Sequence, residues 1–134
     1  MMQYLLDTNI LVEILRGNNK RVASAVAQVG VDNCLMSDIS YFELLVGAEC
    51  SAYIAENLAS VQTLTETIHI IPSFPSFPMA AYEKARLRRE GTLIPDLDIL
   101  IACTAASNGC ILVTNDAHHM SRIRGLIIQD WARD

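Results

Sequence analysis

The sequence predicts a three-layer α/β/α domain built on a mostly parallel sheet of about five strands. Two observations support that class. Short apolar runs at 4–6, 34–36, 69–71, 110–113 and 126–128 alternate with segments of helical periodicity. Strands that alternate with helices imply parallel pairing with both sheet faces covered. A third observation is the acid that closes two of the runs. Asp7 and Asp116 stand at their ends, and open parallel sheets bind ligands outside their strand C-termini.

The elements can be justified in order. After the first strand, Ile10, Leu11, Ile14 and Leu15 form one helical stripe over 8–16, and Gly17 suits the left-handed position past its end. A second helix is expected over about 19–29, with Val22, Ala25, Val26 and Val29 on one face. Residues 34–36 read as a buried strand, and Ser37 or Asp38 can cap a helix running to about Cys50. Ile54, Leu58, Val61 and Leu64 make 51–67 amphipathic, and 69–71 reads as the third strand, with His69 structural. Pro72, Pro75 and Pro78 argue against regular structure over 72–78, because proline lacks a donor and fixes φ. A basic helix is expected next over about 79–90, stopping at Gly91. Residues 96–108 form a buried helix rich in small residues, closed by Gly109. Strand 110–113, a short helix over 117–122 and strand 126–128 complete the chain.

A chain of 134 residues reads as one domain, 1–134, with length enough for a real core. At 51% hydrophobic and 19% charged it is globular and on the apolar side. The aliphatic stripes of 19–29 and 51–67 are expected to bury against a second subunit or another protein. No apolar run approaches the roughly 18–20 residues of a membrane span. The N-terminus lacks a basic region and carries Asp7 in its first apolar stretch, unlike a signal peptide. Cys34, Cys50, Cys103 and Cys110 have no metal-binding spacing, and read as reduced, mostly buried thiols of a cytoplasmic protein.

The net charge of −5 weighs against a nucleic-acid binder. Cations held by the acids would offset part of it, and the positive charge is clustered. Lys84, Arg86, Arg88 and Arg89 share one segment, and Arg122 and Arg124 another. The first four are candidates for nucleic-acid backbone contacts or, equally, a solvated helix face.

Four acids carry the functional signal. Asp7 precedes a helix and fits an N-cap, yet a carboxylate at a strand C-terminus also faces the cleft, with Asn9 placed to orient it. Glu43 lies mid-helix beside Phe42 and Leu44-Leu45-Val46, where an unpaired buried carboxylate costs several kcal/mol. Four residues on, Gly47 weakens the helix, which suggests close approach of another backbone. Asp96 and Asp98 point roughly 200° apart on a helix. With Pro95 opening that helix, the simplest division makes Asp96 the N-cap and sends Asp98 to the cleft, although the reverse is open. Asp116, in Thr114-Asn115-Asp116, fits a turn or a site. Converging carboxylates repel and raise each other's pKa, so such a set is explained by a hard cation.

With those residues in place, the chain resembles the PIN-domain ribonucleases, and among them the VapC-type toxins of bacterial toxin–antitoxin pairs. The resemblance spans essentially the whole chain. It rests on Leu6-Asp7-Thr8-Asn9, on Ser37 with Glu43-Leu44 and Gly47, and on Gly91 with Ile94 and Asp98-Ile99-Leu100-Ile101-Ala102. Val113-Thr114-Asn115-Asp116, Gly125-Leu126 and Trp131 complete it. The resemblance implies an acidic metal site on Asp7, Glu43, Asp98 and Asp116, with Thr114 and Asn115 supporting the fourth acid. It implies an endoribonuclease dependent on Mg²⁺ or Mn²⁺, usually a homodimer, acting on RNA and held inactive by a VapB-type antitoxin. Two features depart from the family pattern. His118-His119-Met120 stands where an aromatic commonly comes after the fourth acid, and 72–78 is long and proline-rich.

On this reading Asp7 and Asp98 hold the main cation, and Glu43 and Asp116 complete the site directly or through water. His118 and His119 are placed to assist near the fourth acid. Rival phosphoryl-transfer families fit poorly. A haloacid-dehalogenase-like enzyme wants Asp-x-Asp where this chain has Asp7-Thr8-Asn9, and a receiver domain wants a late lysine, whereas the lysines are Lys20 and Lys84. The stronger alternative is a catalytically inactive PIN-like binding or scaffold module.

Overall fold

In the computed structural model, residues 1–133 are described. β1 (Tyr4–Leu6) leads to α1 (Thr8–Arg16) and α2 (Lys20–Val29), and β2 (Cys34–Ser37) to α3 (Asp38–Glu49) and α4 (Ile54–Thr67). β3 (His69–Ile71) leads to α5 (Phe77–Glu90) and α6 (Asp96–Ser107). β4 (Ile111–Val113) leads to α7 (Ala117–Met120) and β5 (Ile128–Gln129). The five strands form one all-parallel sheet in the order β3-β2-β1-β4-β5, matching the class read from the sequence.

Alternation along each strand divides the core into two layers. Leu5, Leu35 and Leu112 pack with Leu87, Ile99, Ala102 and Met120 of α5, α6 and α7. Leu6, Met36 and Val113 face the other way, against Ile10, Leu11, Val22, Leu44, Val61 and Leu64 of α1 to α4. The chain moves outward from β1 to β3, then returns to lay β4 on the other side of β1. The gap between the C-termini of β1 and β4 is therefore the topological switch point, where sheets of this kind bind ligands.

Side-chain caps start three of the helices. Asp7 Oδ1 accepts from Thr8 N, Asn19 from Arg21 N and Val22 N, and Ser37 Oγ from Ser40 N. Gly17 and Gly91 end α1 and α5 with φ of 70° and 69°, a left-handed turn that glycine adopts without strain.

Several sequence expectations are corrected. The proline-rich stretch 72–78 is not irregular throughout: Phe74–Ser76 is a 3-10 turn, and α5 begins at Phe77 with Pro78 in its first turn. Proline is tolerated there because first-turn N–H groups have no intrahelical partner. Pro95, not Asp96, stands at the N-cap of α6. Gly47 meets no other backbone, since a Cβ there would find nothing within 4 Å. It lies instead in an open groove of about 360 Å³ lined by Val12, Leu15, Glu43, Ala48, Asn57 and Val61. Apart from Ile54, which is exposed, the stripes of α2 and α4 face the chain's own core: Val22, Val61 and Leu64 are buried, and Ala25, Val26, Val29 and Leu58 pack against that cluster. Other exposed apolar residues include Phe42 and Val46 on α3 and Phe74, Phe77 and Tyr82 near or on α5. Cys34, Cys103 and Cys110 are buried free thiols and Cys50 is exposed. Burial pushes the Cys34 thiol up to about 11 and the Cys103 thiol to about 12. Among the described residues, no helix is long and apolar enough to cross a membrane.

α5 and α6 run antiparallel, with Ser76 beside Thr104 at one end and Lys84 paired to Asp96 at the other. The segment of α5 beyond Lys84 thus projects past the start of α6, at the end of the sheet where Asp98 lies. There Arg86 is buried in an ionic knot. Its Nε donates to Glu83 Oε2 at 2.7 Å, its Nη1 to Glu90 Oε2 at 2.6 Å and its Nη2 to the Arg122 carbonyl at 2.6 Å. Glu83 Oε1 accepts from Arg124 N at 2.8 Å, and Arg122 Nη1 donates to the Thr92 carbonyl at 3.2 Å. The Arg86 hydrogen bond holds the Glu83 carboxyl below the usual carboxylate range.

Removing one partner of a buried pair strands the other charge. Arg86→Ala should therefore lower the unfolding free energy by about 3–5 kcal/mol in urea titrations. A loss under about 1 kcal/mol would mean that the knot adds little to stability.

Candidate active site

Asp7 sits where β1 becomes α1, with 4% of its surface exposed. Its position is set by the sheet, because its N–H donates to the Val113 carbonyl of the neighbouring β4 at 2.8 Å. Its carboxylate accepts from Thr8 N at 2.8 Å, Thr114 Oγ1 at 2.7 Å and Asn9 Nδ2 at 3.2 Å. Asp7 is thus an N-cap and a cleft residue together. Thr114 in turn accepts from Asp116 N at 2.9 Å, so one buried hydroxyl ties the first acid to the loop of the fourth.

Glu43 reaches the same edge from the second turn of α3 and is half-buried. Its Oε1 accepts from the Thr8 hydroxyl at 2.6 Å, and that hydroxyl also lies 2.9 Å from the hydroxyl of buried Ser40. Asp98, in the first turn of α6, is half-buried, whereas Asp96 is exposed and paired to Lys84 at 2.9 Å. Asp116 comes just after β4, and His119 Nδ1 lies 3.0 Å from its Oδ2. One ligand atom each from Asp98, Asp116 and His119 fall within 4.8 Å of one another.

The electrostatics bind the four acids into one unit. Burial, reinforced by the charges of Asp98 and Glu43, pushes Asp7 up to about 6 against the hydrogen bonds from Thr114 and Thr8. Asp98 is also raised, by burial first and then by Asp116 and Glu43, while His119 opposes the rise. Carboxylates that raise each other in this way are poised for a cation. The donor set also fits a hard divalent ion, which takes oxygen ligands and favours carboxylates.

Residues 4–126 match the PIN domain family. The chain belongs to that family. Ribonuclease VapC1 of Haemophilus influenzae is 31% identical over 98% of this chain and 100% of its own length. Ribonuclease VapC2 of the same species is 34% identical over 98% and 99%. A tRNA(fMet)-specific endonuclease VapC of Salmonella typhimurium is 28% identical over 98% and 99%. Among solved structures, the DNA-bound VapBC of Salmonella typhimurium superposes with a TM-score of 0.90 at 28% identity, covering 98% of this chain and 99% of that one. VapBC-1 of nontypeable Haemophilus influenzae gives 0.88 at 31% identity, over 98% and 100%.

Against that PIN framework, the basic residues divide. Arg86 is not available to a backbone phosphate, because it is buried and saturated by Glu83, Glu90 and the Arg122 carbonyl. A single arginine amid helix-face acids at i−3 and i+4 is the sequence signal for this pairing. Lys84 is paired to Asp96, while Arg88 and Arg89 are exposed on the last turn of α5. Asn115 is exposed at the mouth of the site, and its N–H faces Asn9 Oδ1 at 3.4 Å. Of the two histidines expected near the fourth acid, His119 is the one that meets it, three residues on from Asp116.

The sign of the Asp7 effect is set by its direction. The folded value of about 6 lies above the ordinary 3.8, so the contribution to stability is complete below about pH 4 and is lost as pH rises through about 6. Without divalent metal, Asp7→Asn should be more stable than the parent at pH 7.5, and this advantage should vanish near pH 4. At ~1.4 kcal/mol per pH unit, the gain is bounded at about 3 kcal/mol. Urea melts in EDTA at the two pH values measure it; an equal difference at both would remove burial of the Asp7 charge as its cause.

Proposed function

We propose that this chain is a divalent-metal-dependent endoribonuclease, the toxin of a type II toxin–antitoxin pair, which hydrolyses RNA phosphodiester bonds at its acidic edge. One observation carries the reading. Four carboxylates from separate parts of the chain lie near enough at the switch point of the sheet that Asp98 and Glu43 raise Asp7, and Asp116 and Glu43 raise Asp98, in each case adding to burial. The ribonuclease and endonuclease names of full-length relatives support the same conclusion.

Asp7 and Asp98 hold the main Mg²⁺ or Mn²⁺, and Glu43 and Asp116 complete its shell directly or through water. When bound, such an ion acidifies water and neutralises charge on the phosphate. Thr114 and Asn9 orient Asp7, and Thr8 orients Glu43. The buried face behind these side chains limits water and strengthens their field. Arg88 and Arg89 are the cations of α5 left to position RNA through its backbone. Asn115 is placed at the entrance to contact substrate. The protein works in the cytoplasm as a homodimer of single-domain chains.

The solved VapBC complexes that share this fold favour a VapB-type antitoxin as partner. Its seat is the groove beside Gly47, where Val12, Leu15 and Val61 share the walls with Arg16, Asn57 and Ser60 and Glu43 lies at the margin. A segment bound there would reach the acidic edge and block it.

Two measurements test the activity. Total RNA incubated with Mg²⁺ or Mn²⁺ should give discrete cut ends by sequencing, and Asp98→Asn should lower the rate at least ~100-fold. Uncut RNA would leave only a binding module, and equal cutting by the variant would overturn the mechanism that places Asp98 at the reacting site. Separately, Mn²⁺ at a hundredfold excess over Kd should stabilise the protein by about 2.7 kcal/mol, reversibly with EDTA. An identical thermal shift in Asp98→Asn would remove that residue from the metal site.

A further inference from the structure

We propose that His119 is a nitrogen ligand of the same cation site and biases it toward Mn²⁺ over Mg²⁺. The inference rests on the metal-dependent reading above and adds a residue and a preference that this reading lacks.

Three facts place the ring. First, a ring nitrogen of His119 and one oxygen from each of Asp98 and Asp116 lie mutually within 4.8 Å. Ligands about 2.1 Å from one ion are separated by roughly 3.0 Å when adjacent and 4.2 Å when opposite, so small side-chain adjustments close the set around a cation. Second, the backbone carrying the ring is anchored. Met120, the next residue, is fully buried in the α5–α6 core, and its N–H donates to the Asp116 carbonyl at 3.2 Å. Third, His119 lies three residues after Asp116 on the same short helical turn, so the ring and the carboxylate share one face.

The chemistry then selects the ion. A neutral imidazole offers a lone pair without adding to the negative charge already crowded among Asp7, Glu43, Asp98 and Asp116. Mg²⁺ binds almost wholly through oxygen, whereas first-row transition ions accept imidazole readily. A set of carboxylates and one imidazole therefore favours Mn²⁺. The adjacent His118 does not share this role: it is exposed and its Nε2 faces Arg122 Nη2 at 3.5 Å.

The test reads the bound ion rather than turnover. Pulsed electron paramagnetic resonance of Mn²⁺ on the intact protein should show coupling to a directly bound ¹⁴N. His119→Ala should abolish that coupling and weaken Mn²⁺ about tenfold or more, while Mg²⁺ affinity changes less than about threefold. His119→Gln, which keeps a polar group beside Asp116 without an imidazole nitrogen, should not restore it. His118→Ala should retain both coupling and affinity. Coupling that is absent in the parent, or that persists in His119→Ala, overturns the proposal, as does an equal loss for both ions. If Mn²⁺ binds without nitrogen coupling and Asp98→Asn abolishes binding, the acidic site stands and the imidazole ligand falls. If the parent binds no Mn²⁺, both fall.

Discussion

The hydrogen bond from Thr114 Oγ1 to Asp7 Oδ2, 2.7 Å long and buried, joins residues 107 positions apart, and the rest of the site is arranged around it. It forms because β1 and β4 pair in register, Leu6 beside Val113, at the centre of the sheet. That register delivers the two loops that carry Asp7 and Asp116 to one side of the molecule. α3 and α6 then only have to begin at the same edge for Glu43 and Asp98 to join them. A one-residue slip between β1 and β4 would turn Asp7 away and reverse which core layer Leu6 fills.

The same convergence sets folding against chemistry. Burial shifts Asp7 toward its neutral form, raising it to about 6, and the charges of Asp98 and Glu43 add to that tendency. The fold tolerates the arrangement because three donors hold the Asp7 carboxylate and the Thr8 hydroxyl holds Glu43. These bonds constrain oxygens without neutralising charge, leaving charge for a cation to neutralise. Strain of this kind at a functional edge, with regular packing elsewhere, is the common pattern in natural proteins.

The fold was legible because its signals are local. Runs such as Leu5-Leu6 and Leu112-Val113 mark strands, and glycines at 17 and 91 mark helix ends. Asp98 could be separated from Asp96 by the angular spacing of a helix. The features that escaped reading depend on neighbours distant in the chain. Gly47 suggested a close backbone contact, but it borders an open groove lined from α1, α3 and α4. Pro78 suggested a break, yet its position in a first turn made it compatible with α5. Arg86 looked like surface charge until Arg122 and Arg124 were seen to fold back over it. His119 gained weight only when α7 carried it beside Asp98 as well as Asp116.

The enclosure of Arg86 has a consequence for how this acidic protein meets a polyanion. A basic helix ordinarily binds a phosphate chain by displacing its condensed counterions, and the strength of that effect scales with the number of cations offered. Here Arg86 is spent inside the protein and Lys84 is matched by Asp96, so α5 presents little more than Arg88 and Arg89. Under the proposed activity, α5 supplies little of whatever grip comes from the ionic atmosphere of RNA. Recognition then shifts from long-range attraction to shape and to the few phosphates placed at the acidic edge, a selectivity suited to a target displayed in one particular geometry.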